Sequence, residues 1–380
     1  DQENNTNVKS LLGIIDMTTT NIGKRQLRNR LLFPITNQDI LNKRYNLAEY
    51  FIHNPDIMKS IKNDLRNISD LERLNRKLCT YKLDKDSDLL NLYLSLTYIQ
   101  NIFKNTEKTL FDLINIPPSL VDEFNQLYDK IISIFHIDNL QKRKINIFNK
   151  NYNQNIDDYD FNYEKNKWIL LEVCKKCTYC IHSEEKKKYD KDALLVEYEW
   201  SDRDSCYNIV TTEARSKKLK SSLVKKKKLV IQNEDYNVDF IIKNDSISYK
   251  TASAGGKTKI KHDILNQYSD YLYKSKMKLE NEVKTVYKSV LHELYTYNTT
   301  IFTIIDFIAE IDCAISTASN FIKYNYCKPQ LDNSNSNSKS YIDCKDLRHP
   351  IIERIISSNY VTNNLKLGID DYDGLLLFGT

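Results

Sequence analysis

The chain has 380 residues, with 56 Lys and Arg against 51 Asp and Glu for a formal charge of +5, and 41% of its residues are hydrophobic. That length accommodates two to four domains, because single cores stop growing well short of it. No run approaches the roughly 20 uninterrupted apolar residues of a membrane span and no signal peptide is visible, so a membrane-embedded or secreted protein is not the reading.

The eight cysteines are scattered and mostly unpaired in spacing, which points to an intracellular, reducing compartment. The chain opens at Asp1 and stops at Thr380 just after an apolar run, and it reads as an internal fragment. Lys, Asn, Ile and Tyr abound, with 26 tyrosines. AT-rich codons explain that richness, so only the distribution of lysine carries information. Seven glycines and six prolines punctuate the chain, and no glycine lies between Gly23 and Gly255. So few turn formers predict long helices.

Residues 1–160 read as a helical region. "MTTTNIGKRQLRNRLLFPI" opens with threonines suited to a helix cap and closes at Pro34. Leu89 to Phe103 form a further apolar helical run, and Pro117 and Pro118 divide the later helices. Residues 161–261 form a second region. It begins with "KWILLEVC", which carries Cys174, Cys177 and Cys180 onward along a helix towards His182. A single cysteine cluster without a second pair is a weak zinc signature, and core or surface thiols are the plainer account. From 193 to 249 the pattern shifts: "ALLVEYEW", "YNIVTT", "KLVIQ", Val238–Lys243 and Ile247–Tyr249 predict short strands.

Basic charge concentrates there. Residues 211–261 hold 13 Lys or Arg and 5 Asp or Glu, a balance of +8, so the rest of the chain carries −3. Such a segment can neutralise phosphates and release counterions, the main source of sequence-independent DNA affinity, although a solvated lysine-rich loop would have the same composition. Within it, "TASAGGKT" (251–258) has the residues of a phosphate-binding loop. The spacing fails, because five residues before Gly256 stands Thr251 and not glycine. A hairpin tip is the reading, with Lys257, Lys259 and Lys261 within reach of phosphate oxygens.

Residues 262–326 lack Gly and Pro and form the third region. Ile264, Tyr268, Tyr271, Leu279, Val283, Val286, Val290, Leu294, Tyr297, Ile301, Ile304, Ile308, Ile311, Ile315, Ala318 and Ile322 recur at three- and four-residue steps, which predicts one long helix with a core-facing stripe. Residues 327–380 form the fourth region, where the low-complexity loop "QLDNSNSNSKS" precedes an α/β-like segment. No G-x-S-x-G or comparable catalytic arrangement is present. The six histidines are dispersed, with His292 on the long helix, and nothing nominates a catalytic residue or a metal site.

Four motifs in order carry a resemblance. "TTTNIGKRQLRNRLLFPITN" followed by "ILNKRYNLAEYF" resembles the start of the core domain in MutS-type mismatch-recognition ATPases, with Thr20, Gly23, Arg25, Leu27, Leu31, Pro34, Ile40 and Arg44 matching and Arg30 standing where the family has Trp. "FNKNYNQNIDDY" resembles the element ahead of the family's clamp, with Asn151 in place of Gly. "IVTTEARSKKLK" with "YKTASAGGKTKI" resembles the clamp strands and tip. "DLRHPIIERI", "YVTNNLKLG" and "GLLLFGT" resemble the opening of the ATPase domain. The match covers nearly the whole chain and is nearest to the divergent MutS proteins of large DNA viruses.

The resemblance implies a mainly α fold: long antiparallel helical levers with an inserted small β-rich clamp domain, plus the beginning of an α/β ATPase domain. It implies a clamp that grips duplex DNA through backbone contacts, with Arg215, Lys217, Lys218, Lys220, Lys250, Lys257 and Lys259 as candidates. Tyr360 and Val361, with Asn363 nearby, would flank an adenine, and Gly379 would be the first glycine of the nucleotide loop. ATP and Mg2+ would serve the full-length protein, with none expected bound to this chain. The remaining nucleotide-loop residues would lie beyond Thr380 and the mismatch-reading residues before Asp1, so the chain alone is expected not to hydrolyse ATP. A homo- or heterodimer with another MutS-like subunit is implied, in nucleus, cytoplasm or a viral replication site. The alternative is a helical scaffold whose basic module docks an acidic protein partner.

Overall fold

The computed structural model describes residues 10–106, 108–114, 116–183, 193–226, 228–251, 257–332, 340–356, 358–368 and 373–376. The chain is mainly α-helical. In order run α1 (Leu11–Ile15), α2 (Asn21–Leu32), α3 (Gln38–His53), α4 (Pro55–Leu65), α5 (Leu71–Cys79), α6 (Asp88–Asn105), α7 (Lys108–Ile114), α8 (Leu120–Ile134), α9 (Ile137–Gln141) and α10 (Gln154–Ser183). Then come β1 (Glu197–Ser201), β2 (Cys206–Thr211), α11 (Glu213–Lys226), β3 (Lys228–Asn233), β4 (Val238–Lys243), β5 (Ser248–Thr251) and β6 (Thr258–Lys261). The chain continues through α12 (Asp263–Tyr295), α13 (Asn298–Tyr324), β7 (Ile342–Leu347), α14 (Ile352–Ile355) and β8 (Asn363–Leu367). Two compact units result, one from residues up to 131 together with those from 291, the other from 132–290.

In the first unit α13 is the central helix and packs on α2, α3 and α5. Its sequence is apolar on nearly every face, and Ile301, Ile304, Ile305, Phe307, Ile308, Ile311, Ile315 and Ala318 are all buried, as a helix surrounded by others requires. Phe103 is in ring contact with Phe124 at 4.9 Å and with Phe307 at 5.0 Å.

The threonine-glycine motif at the start of α2 has its cause here. Thr20 caps the helix by accepting from the Gly23 backbone N–H at 2.9 Å, and its hydroxyl donates to the fully buried Asp312 of α13 at 2.7 Å. The same carboxylate accepts from the N–H groups of Thr19 (2.8 Å) and Thr20 (2.7 Å). Gly23 is required because a Cβ there would stand 2.2 Å from Asp312 Oδ2. Burial raises the Asp312 carboxyl above its ordinary value, and the three donated bonds pull the other way. Arg30, in the position the resemblance gives to Trp, forms an ion pair with Glu310.

In the second unit α10 and α12 run antiparallel. Asn155 donates to Glu282 at 3.4 Å and Asn166 to Ser275 at 3.3 Å, so residue numbers fall on one helix as they rise on the other. α10 is about 45 Å long at 1.5 Å per residue, and the boundary at 160/161 falls inside it. The turn before it holds Asn151 at φ 67°, with its N–H on Asp157 at 2.8 Å. Asparagine tolerates this left-handed backbone better than most side chains, which accounts for Asn where the resemblance has Gly.

Two antiparallel sheets complete the unit, one in the order β1-β2-β6-β5 and the other formed by β3 and β4. The expected strands are present. Ile209, Ile260, Ile231 and Ile242 point from them into a core shared with Ile169, Val173, Cys174 and Cys177 of α10.

Two expectations are corrected. Residues 213–220, which the resemblance places in clamp strands, belong to helix α11, with Ser216, Leu219, Ser222 and Leu223 buried at helical spacing. The single long helix is two, broken at Thr296–Tyr297. Neither Gly nor Pro is needed, because the Thr296 hydroxyl donates to the Glu293 carbonyl at 2.7 Å and competes with the helix ladder in a stretch of poor helix formers. The stripe is buried along most of its length, but Tyr271 and Ile322 are exposed. Of the expected first ATPase strand, 375–379, residues 377–379 lie outside the described residues; Leu375 and Leu376 are exposed. Among the described residues no helix is long and apolar enough to cross a membrane.

Candidate nucleic-acid interface

Alternation along the strands decides which side chains the four-stranded sheet presents together. Paired residues of an antiparallel ladder share a face, and so do residues two apart. Lys250 of β5 stands opposite Lys259 of β6, Ser248 opposite Lys261, and Thr251 opposite Thr258. Lys250, Lys257, Lys259 and Lys261 therefore belong to one side. The other side carries Ile209, Ile260, Tyr198 and Tyr249, which pack into the core. Directly opposed like charges are unfavourable, so this lysine row needs counter-charge.

The β1–β2 hairpin supplies it. Lys257 forms an ion pair with Glu199, and Lys259 forms one with Asp204. The hydrogen bond from Lys259 depresses the Asp204 carboxyl to about 2, with further donation from Ser201 and Asn208. The bond to Glu199 correspondingly raises Lys257 above its ordinary value. These partners lie 55 to 58 residues away in sequence, which is why a tally over 211–261 misses them.

The stretch "TASAGGKT" joins these two strands. Thr251 and Thr258 are cross-strand neighbours with their hydroxyls 3.2 Å apart, so the loop links antiparallel strands, whereas a phosphate-binding loop links a strand to a helix. Residues 252–256, including both glycines, lie outside the described residues.

Arg215, Lys217, Lys218 and Lys220 stand elsewhere, on α11, which packs on α10 through its Leu219 and Leu223 face. Lys217 pairs with Glu213 one turn away at 2.9 Å. The basic candidates thus occupy two elements, a sheet face and a helix face.

The cysteines belong to the core. Cys174, Cys177 and Cys180 are all buried, and burial pushes the Cys174 thiol up to about 12 and Cys177 well above its ordinary value. Among the described residues no group of three or more His, Cys, Asp or Glu is placed to hold a metal ion.

Towards the C-terminus β7 and β8 pair antiparallel. Tyr360 accepts from the His349 backbone N–H at 2.9 Å, Val361 is 77% exposed, and Asn363 opens β8. The Tyr360 ring therefore has a fixed tether, and the exposed Val361 is its sequence neighbour. Gly379 lies outside the described residues.

Comparison with known proteins places these features in context. A family model described as MutS domain III matches residues 1–318. The chain is 28% identical, over 96% of its length, to a putative DNA mismatch repair protein, a mutS homolog, of Acanthamoeba polyphaga mimivirus. It is 22% identical over 97% of its length to the DNA mismatch repair protein MutS of Clostridium botulinum, and 24% identical over 98% to that of Carboxydothermus hydrogenoformans. It spans only 33%, 36% and 40% of these three relatives.

Proposed function

Since the chain belongs to the MutS family, by the match of residues 1–318, we propose that it is the lever and clamp portion of a DNA mismatch or damage sensor and that it grips duplex DNA through phosphate contacts. The observation that carries this reading is the row of Lys250, Lys257, Lys259 and Lys261 on one sheet face, with a second basic surface on α11. Lysine is a compact point charge that suits phosphate contact without base reading. The antiparallel α10 and α12 would act as the levers that couple this clamp to an ATP-driven dimer in the full-length protein. ATP and Mg2+ would act in that protein, where Tyr360 and Val361 would flank the adenine.

This chain alone is expected to bind duplexes with no preference for a mismatch and to leave ATP intact. Measuring duplex affinity against salt tests the reading. With two to four phosphate contacts the slope of log K against log salt is about −2 to −4, at roughly 0.9 per phosphate. A slope near zero would overturn phosphate contact. Because Lys257 and Lys259 already bind carboxylates, an acidic protein partner is the competing reading. Lys257→Glu together with Lys259→Glu weakens duplex binding under the first reading and leaves it unchanged under the second.

A further inference from the structure

Three helices of the first unit enclose a cavity of about 170 Å³. Its polar lining comes from Arg30 of α2, Arg44 of α3, and Glu310 and Thr317 of α13. Two guanidiniums therefore face one carboxylate. Glu310 is already committed, because its Oε2 lies 2.5 Å from Arg30 Nη2 and its Oε1 accepts from Gln26 at 3.3 Å. The Arg30 side chain is only 15% exposed, and its Nη2 is spent on Glu310. Arg44 has no hydrogen-bond or ion-pair partner among the described residues.

Asp306, one turn before Glu310, does not line the cavity, and burial with repulsion from Glu310 raises its carboxyl above the ordinary value. Burial first, and then the neighbouring Arg30, push the Arg44 guanidinium below its ordinary value against a weaker opposing pull from Glu310. The space admits several waters, hence a small polyatomic ion.

The geometry points to a binding site for a small oxyanion of the phosphate class, held by Arg44 with the Arg30 guanidinium beside it, in the cleft between α2, α3 and α13. Guanidinium groups match tetrahedral oxyanions through paired N–H donors, and here two of them converge. The Thr317 hydroxyl donates to the Cys313 carbonyl at 2.9 Å, so the arginines supply the recognition. An anion bound there would tie α13 to both helices that pack on it. The site lies in a different unit from the clamp lysines and is independent of the clamp reading.

Thermal unfolding of the full chain, followed by far-ultraviolet circular dichroism with inorganic phosphate against chloride at matched ionic strength, tests the site. The wild-type midpoint should rise saturably with phosphate, Arg44→Gln should lose that rise, and Glu310→Gln should show half-saturation at about tenfold lower phosphate, because one competing negative charge is gone. Lys257→Glu with Lys259→Glu should respond as wild type does. The proposal is overturned if wild type shows no saturable rise, or if Arg44→Gln responds as wild type does, since general exclusion of phosphate from protein surfaces would then explain it. Glu310→Gln keeps the test decisive should Arg44→Gln fail to fold: a lost or unchanged phosphate response in it overturns the site.

Discussion

Replacing Gly23 by Ala tests whether the opening motif exists to admit the buried carboxylate of α13. The added Cβ would meet Asp312 Oδ2 at 2.2 Å, Cγ at 2.7 Å and Cβ at 2.8 Å, so the carboxylate must move. Three donated bonds, from Thr19 N, Thr20 N and Thr20 Oγ1, hold it in place. Moving it forfeits one or two bonds to a charged acceptor, at about 1.5–3 kcal/mol each, while Gly→Ala inside a helix returns about 1 kcal/mol. The net expectation is a loss of about 0.5–5 kcal/mol.

Urea unfolding followed by far-ultraviolet circular dichroism should show a lower midpoint at unchanged slope. Both tryptophans, Trp168 and Trp200, lie in the unit of residues 132–290, so their emission reports separately on that unit. In an Asp312→Gly background all three contacts are removed, and the same glycine substitution should be neutral or stabilising. A Gly23→Ala protein as stable as wild type, or an equal loss in both backgrounds, would refute the reasoning.

Glu199→Gln combined with Asp204→Asn should free Lys257 and Lys259, raising duplex affinity about threefold to tenfold and steepening the salt slope by up to about 2; unchanged binding would mean these lysines do not face DNA. Asn151→Ala should destabilise the 132–290 unit by about 1 kcal/mol while Asn151→Gly stays within about 0.5 kcal/mol, because the φ of 67° penalises an ordinary side chain; urea midpoints compare them. His262 caps α12, its Nδ1 accepting from Ile264 N at 3.1 Å and its Nε2 paired with Ser246 Oγ at 2.8 Å, and burial lowers its pKa against a weaker pull from Asp263. The folded chain thus prefers neutral His262. Its contribution to stability is complete above about pH 6.5 and declines as pH falls from there towards the folded value, by at most about 1.4 kcal/mol per pH unit. His262→Asn keeps a capping acceptor without the titration, so the stability difference between the two proteins should be constant above neutrality, and wild type should lose stability relative to the variant as pH falls below about 6.5; a constant difference across pH refutes the assignment.

What was legible in the sequence was whatever depends on neighbours along the chain. The strand at Val238–Lys243 shows in its β-branched residues, and Thr20 as a cap shows in its place before an apolar helical run. The partner that explains Gly23 stands on another helix almost 300 residues later, and no local pattern announces Asp312. α11 was missed although Ser216, Leu219 and Leu223 keep helical spacing, because the resemblance assigned that stretch to strands. The break at Thr296 was missed because punctuation was sought in Gly and Pro alone, whereas a hydroxyl bonded to its own helix carbonyl breaks the ladder as well.

The candidate site shows the same limit in its charges. A balance of +8 over 51 consecutive residues suggests a strongly positive surface, yet part of that charge is cancelled within the fold by Glu199 and Asp204, which belong to the acidic remainder of the chain. The cancellation has a structural origin. A ladder that sets Lys250 against Lys259 tolerates the repulsion only if carboxylates from the next hairpin approach. On the proposed function Lys257 and Lys259 would meet phosphate by exchanging one anion for another, a short-range event with little attraction at a distance. α11 differs, since Glu213 is its only acidic residue among Arg215, Lys217, Lys218, Lys220, Lys225 and Lys226. On that proposal the long-range field that would steer a polyanion towards this unit comes mainly from the helix, and the paired sheet lysines would act after contact.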